Sequence, residues 1–138
     1  MSDASYIAYH QRLIDQLSKH IKSTAPFNGD ALDEVNAAFL QKLEQLTDSN
    51  TAPHDQRHLG QSLLSQIVGN YPHLMPNVPR ALFWYFGGDC MHYLGDEEIT
   101  HFQQLEERYH ELLGSANGTA DYEQLALNTK PEGSTQLH

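Results

Sequence analysis

From the N-terminus to about Leu112, apolar residues recur at a spacing close to the 3.6-residue turn of an α-helix. Between about Asp3 and Ser23, Tyr6, Leu13, Leu17 and Ile21 share one face. Ile14 and the edge residue Ile7 join them, while Gln11, Asp15, Lys19 and Lys22 oppose them. Asp3 or Ser2 is placed to cap this first helix, and Thr24-Ala25-Pro26-Phe27-Asn28-Gly29 breaks it. A second helix is predicted from about Ala31 to Thr47, capped by Asp30, with Asp33 and Glu34 in a first turn whose dipole favours acids. Leu32, Val35, Phe39, Leu43 and Leu46 form its stripe, and Asp48-Ser49-Asn50 ends it. A third runs from near Pro53 to near Asn70, with Thr51 as cap, proline in the tolerated first turn, and Leu59, Leu63, Leu64 and Ile67 buried.

Tyr71 to Pro79 carries three prolines, each removing a backbone donor and disfavouring helix before it. Because Tyr71, Leu74, Met75 and Val78 are apolar, the segment reads as an ordered, extended connector. A fourth helix begins near Pro79. Leu82, Phe83, Phe86, Cys90, Tyr93 and Leu94 keep helical spacing through Gly87-Gly88, so the pattern predicts continuation to Leu94. The alternatives are a stop at the glycines or a short buried strand from Ala81 to Phe86, since periodicity does not separate short apolar runs. A fifth helix opens at Asp96 with Glu97 and Glu98 in its first turn. Its stripe is Ile99, Phe102, Leu105, Tyr109 and Leu112, and Gly114 stops it. Ser115 to His138 reads as a polar, largely flexible tail in which Tyr122, Leu125 and Leu127 make one weak helical segment. The prediction is an all-α fold: a compact bundle of about five helices forming a single domain over 1–114, with a tail over 115–138.

Composition narrows the function classes. Eighteen acids against eight Lys and Arg give a formal charge of −10 over 138 residues, which disfavours binding along a phosphate backbone. No apolar run approaches the roughly 18 residues that cross a bilayer, and the N-terminus lacks a secretion signal. With Cys90 the single cysteine, no disulfide closes within the chain, and a cytoplasmic, reducing location is expected. No G-x-G-x-x-G turn, Walker A loop or H-E-x-x-H occurs, so no cofactor is expected.

One block stands out. Pro76 to Ile99 holds the only Trp, the only Cys and the paired glycines. Glycine inside a helix costs about 1 kcal/mol against alanine, so something should offset the pair. On a continuous helix Trp84, Gly87, Gly88 and Met91 share a face, rimmed by Asp89 and His92, and a face without Cβ atoms admits another backbone or a ligand. Close helix packing is the plainer explanation of the same pattern. This block, with Tyr71-Pro72-His73-Leu74 ahead of it and the helix through Tyr109 after it, resembles a family of short uncharacterised gammaproteobacterial cytoplasmic proteins. The resemblance implies a compact bacterial cytoplasmic protein and carries no activity or catalytic residue to these positions.

Candidate chemistry is sparse. His54 and His58 lie i, i+4 on one helix face, but in a polar first turn they read as solvated. Glu98 with His101 and Glu107 with His110 repeat the E-x-x-H unit of di-iron bundles, yet they face opposite sides of one helix. No metal site is expected. Cys90 falls in the apolar stripe and reads as an inert thiol, and Asp96, Glu97, Glu98, Glu106, Glu107 and Glu111 read as a solvated acidic face. No catalytic residue is assigned. The expectation is a binding protein (an adaptor, a regulator or a self-associating subunit) that engages a protein partner or a second copy through Trp84, Gly87, Gly88, Asp89, Met91 and His92. The alternative is a small enzyme or ligand carrier using Asp89 and His92 in a pocket between the fourth and fifth helices.

Overall fold

The computed structural model describes residues 4–29, 31–48, 50–114 and 121–128. The periodic stripes become helices. Helix α1 (Ala4–Lys22) turns Ile14, Leu17 and Ile21 inward, and Lys19, His20 and Lys22 sit in the last turn, where the dipole favours bases. Helix α2 (Glu34–Thr47) buries Phe39, Leu43 and Leu46. It starts later than its pattern suggests, because Asp33 accepts a hydrogen bond from the Asn36 amide at 2.8 Å and so caps the helix itself. Asp30, the expected cap, lies outside the described residues, as do Ser2 and Asp3. Val35 leaves the expected stripe and is 56% exposed. The neighbouring end of the core is filled by the rings of Phe27, Phe39 and Tyr71, whose centroids lie 4.8–5.1 Å apart.

Helix α3 (Pro53–Asn70) buries Leu63, Leu64 and Ile67 and is preceded by Ala52 rather than capped by Thr51. The Thr51 hydroxyl donates instead to the Gln45 carbonyl at 2.7 Å, closing the end of α2. The proline-rich connector is ordered but not extended. Pro72–Asn77 is a 3-10 helix with Leu74 fully buried, a form that tolerates proline in its first positions and needs few backbone bonds.

The fourth helix corrects the expectation of continuity. Helix α4 (Arg80–Phe86) stops at Gly87, and a separate 3-10 helix follows over Gly88–Tyr93. Gly87 and Gly88 have φ of 65° and 60°, the left-handed region that side chains disfavour. The ψ of −150° at Gly87 places it where glycine stands almost alone. The spacing still looks helical because the 3-10 turn returns Cys90 and Leu94 to the same core as Phe86. Helix α5 (Asp96–Leu113) opens where predicted, with the Gly95 amide donating to Glu98 Oε1 at 2.9 Å. The Arg80 guanidinium meets both Glu98 carboxylate oxygens at 2.8 Å and joins the starts of α4 and α5. The weak segment becomes helix α6 (Tyr122–Asn128), whose Tyr122 is 1% exposed.

In space α2 packs on α1 and α3, α4 packs on α1, α3 and α5, and α6 lies against α1 and α5. The main core fills the space among α1–α4. A smaller second core, built on Leu105, Tyr109 and Tyr122, closes the α1–α5–α6 end. Helices and their connecting turns make up the described residues, with no strand among them.

Glycine substitutions separate the two duties of this residue. A Cβ on Gly60 would sit 2.3 Å from the ring of core-buried Phe86, so Gly60→Ala should destabilise by about 1–3 kcal/mol. Gly87→Ala should lose a similar amount, about 1–3 kcal/mol, to backbone strain. Gly69→Ala, which meets nothing, should be neutral or stabilising by up to about 1 kcal/mol. Urea midpoints of the three variants check the order, and a Gly87→Ala protein as stable as the parent would refute the strained corner.

Candidate functional site

The six residues singled out in the fourth-helix block do not form one face. Trp84 points toward α5, with its ring stacked on Phe102 at 5.8 Å and its Nε1–H donating to Glu106 Oε2 at 2.6 Å. Gly88 faces α3 instead, where its Cβ would meet Gln61 Nε2 at 2.6 Å. That Gln61 amide donates to the Phe86 carbonyl at 2.8 Å and seals the end of α4. Met91 packs on the core, half-buried, while Asp89 and His92 are both exposed. The helical wheel that grouped these residues fails with the helix at Gly87. Cys90 is fully buried and its Sγ–H faces the Gln61 carbonyl at 3.7 Å. Burial, helped by the charge of Asp89, pushes its thiol up to about 11, the opposite of what a nucleophile needs.

The histidine pairs stay apart from such chemistry. His54 and His58 make an edge-to-face ring contact at 4.6 Å on the exposed side of α3. Among the described residues no three His, Cys, Asp or Glu side chains gather in a way that holds a metal ion. A cleft of about 600 Å³ lies between α2 and α3, lined by Lys42, Asp55, His58 and Ser62 among others. Its Lys42 is already committed, donating to Ser62 Oγ at 2.8 Å and Gln66 Oε1 at 3.0 Å.

Polar chemistry concentrates at the α1–α5–α6 end. Glu106, expected on the solvated acidic face, turns half inward. Its Oε2 accepts from the Tyr6 hydroxyl at 2.5 Å and from the Trp84 indole at 2.6 Å. Burial first, and then this bond, raise the Tyr6 phenol, so it stays protonated and donates. Beside the carboxylate opens a pocket of about 150 Å³ lined by Tyr6, Glu106, Tyr109 and His110. The Tyr109 hydroxyl lies 3.2 Å from Ser5 Oγ, which also accepts from the Tyr122 amide at 3.1 Å.

Next to this pocket lies His10, fully buried. Its Nδ1 is 2.8 Å from the Tyr6 carbonyl, which only accepts, so Nδ1 carries the proton and Nε2 is a bare acceptor. That Nε2 is buried and meets no hydrogen-bond partner among the described residues. The ring stacks on Tyr85 at 4.3 Å and 7°, with Tyr6, Tyr9 and Tyr122 around it at 4.5–5.3 Å. Sequence reading passed over His10 and placed Glu106 on the solvated acidic face. For His10 a signal existed, since it sits four residues after Tyr6 and four before Ile14 in the buried stripe. For Glu106 the signal was weaker: it lies four residues after Phe102 and three before Tyr109 of the buried stripe, but its immediate neighbour Glu107 and nearby Glu111 belong to an exposed acidic face.

Burial pulls the imidazole of His10 down to about 4, against the smaller opposing effect of its bond to Tyr6. The unfolded chain takes up a proton below its ordinary value near 6.5 while the folded protein refuses it. Stability should therefore fall as pH drops from about 6.5 to about 4, by roughly 3 kcal/mol at the full shift. His10→Phe should flatten that limb. Urea midpoints measured across this range decide it, and equal losses in parent and variant would show that His10 is not the group responsible.

No curated protein matches the chain, and no solved structure matches it. The model of one family does match, over residues 2–134, and so takes in every described helix together with the Glu106 and His10 cluster: the chain belongs to the PA2817-like family.

Proposed function

We propose that the protein acts by binding a small ligand, without catalysis, in the pocket between α1 and α5. The observation that carries this is the Glu106 carboxylate. It stands at the wall of a concave site and is fixed there by donors from two other helices, Tyr6 of α1 and Trp84 of α4. A rigid polar group on a mostly aromatic wall is the usual build of a ligand site. The volume sets the ligand size. About 150 Å³ suits a molecule no larger than benzene, and it is well below the ~300 Å³ at which drug-sized sites begin.

Other features support binding over chemistry. The one thiol is buried with a raised pKa, and Asp89 and His92 stand exposed rather than facing each other in a cavity. The Gly87–Gly88 corner is accounted for by backbone conformation and by contact with Gln61, which leaves a partner surface there without support. Trp84 keeps its place in the proposal, as the group that holds Glu106. A cytoplasmic setting suits the unpaired Cys90.

Trp84 is the only tryptophan, and it touches Glu106 directly, so its emission reports on the pocket. Titration with tetramethylammonium, tert-butanol and pivalate, followed by fluorescence and by amide chemical shifts, tests the proposal. At least one compound should saturate, with shifts gathered at Tyr6, Glu106, Tyr109 and His110. Saturable binding by none of the three, or shifts gathered elsewhere, would overturn it.

A further inference from the structure

We infer that the pocket between α1 and α5 selects a small alkylammonium cation, held by the Glu106 carboxylate against the partly exposed Tyr6 side of the aromatic wall. The assignment takes the pocket as a binding site, as proposed above, and adds the chemical class of its occupant.

Charge gives the sign. Glu106 is half-buried, and among the described residues no Lys, Arg or His side chain forms an ion pair with it. The carboxylates of Glu44, Glu98, Glu111 and Glu123 each have a basic partner, from Lys22, Arg80, Arg108 and Arg12 respectively. The two donors on Glu106 both reach Oε2 and both are neutral, so its negative charge is hydrogen-bonded but not compensated. An anionic ligand would meet this charge inside a chain that already carries a formal −10.

The lining gives the kind of cation. A hard divalent metal needs about six oxygen ligands, and the pocket offers one carboxylate, two phenols and a histidine. The described residues hold no cluster fit for a metal. Aromatic walls beside a carboxylate instead suit a cation that is itself partly apolar. Its methyl or methylene groups pack on Tyr6, which the buried Tyr109 ring backs from behind, while its charge meets both the Tyr6 ring and the carboxylate. Tyr6 and Tyr109 lie at the second core with ring centroids 6.0 Å apart, and Tyr122 sets its edge against each of them at 4.7 and 5.2 Å. These rings are thus positioned before any ligand arrives, which lowers the ordering that binding must supply. Size agrees as well, since a quaternary or primary ammonium of about five or six heavy atoms fits a space of about 150 Å³.

The test compares tetramethylammonium with its neutral isostere tert-butanol, and with the somewhat larger anion pivalate, on the full chain in sodium phosphate, because amine buffers would compete. Tetramethylammonium should bind about tenfold or more tighter than tert-butanol, and pivalate should bind weakest. Glu106→Gln keeps the side-chain shape and an acceptor for Trp84 and Tyr6. It should erase most of the preference for the cation while leaving tert-butanol binding within about twofold. If Glu106→Gln does not fold, the comparison of the three compounds on the parent protein still reads the charge preference. Equal binding of tert-butanol and tetramethylammonium, or an unchanged preference in folded Glu106→Gln, overturns the cation assignment while the pocket remains a binding site. Binding by none of the three overturns both.

Discussion

One carboxylate oxygen, Oε2 of Glu106, ties three helices together. It sits on α5, takes the Tyr6 hydroxyl from α1 and takes the Trp84 indole from α4. Bonds to a charged acceptor are roughly twice as strong as neutral ones. Losing the acceptor would strand two partly buried donors, at about 1–3 kcal/mol each. The Trp84 ring is further held by Phe102, so the indole is fixed by packing on one side and by charge at its nitrogen. Once these contacts form, the register of α5 against α1 and α4 is set, and the pocket beside Glu106 follows as the space they leave. At the other end of α4 the Arg80–Glu98 pair repeats the arrangement at an exposed site, where it contributes less.

The two cores meet at His10. Its ring stacks on Tyr85, which packs against the main core, and touches Tyr6, Tyr9 and Tyr122 of the second. Tyr109 and Tyr122 are fully buried rings that carry hydroxyls, so this end of the molecule is dense and apolar in its bulk yet studded with polar atoms. The α2–α3 end differs. There Phe27, Phe39 and Tyr71 pack ring on ring, and the single phenol among them donates outward to Asn36 at 2.6 Å. Ordinary folding needs explain that end completely.

What sequence made legible follows the same division. The helices of the main core were readable because stripes such as Leu63, Leu64 and Ile67 are dictated by burial on one face. The break at Gly87 was not. A 3-10 turn after a left-handed corner returns Cys90 and Leu94 to the core, and the one-dimensional pattern of apolar positions is the same as in an unbroken helix. That error created an apparent Trp84–Gly88 face and with it the wrong grouping around Asp89 and His92. Trp84 was still marked as unusual, although the group it serves, Glu106, is remote in sequence and looks like any surface acid. Long-range polar pairing leaves no periodicity, so composition and spacing are blind to it.

The residues that break folding rules gather at one place. An apolar side chain at position 10 would continue the α1 stripe, satisfy the core and remove the buried Nε2 that finds no partner among the described residues. A leucine or methionine at position 106 would continue the packing of Phe102 and Leu105 without placing a charge beside aromatic rings. Instead both positions carry polar groups that burial penalises, and they share Tyr6 between them, through its carbonyl at His10 and its hydroxyl at Glu106. Local choices that work against folding are expected where something other than folding sets the residue. The rest of the described bundle offers no comparable conflict: the glycines answer to conformation and close packing, the buried thiol is inert, and four other glutamates are paired with bases. The proposed ligand pocket therefore lies at the Tyr6–His10–Glu106 end of the bundle, where polar groups that the core itself does not require stand beside a carboxylate fixed at the wall of an aromatic pocket.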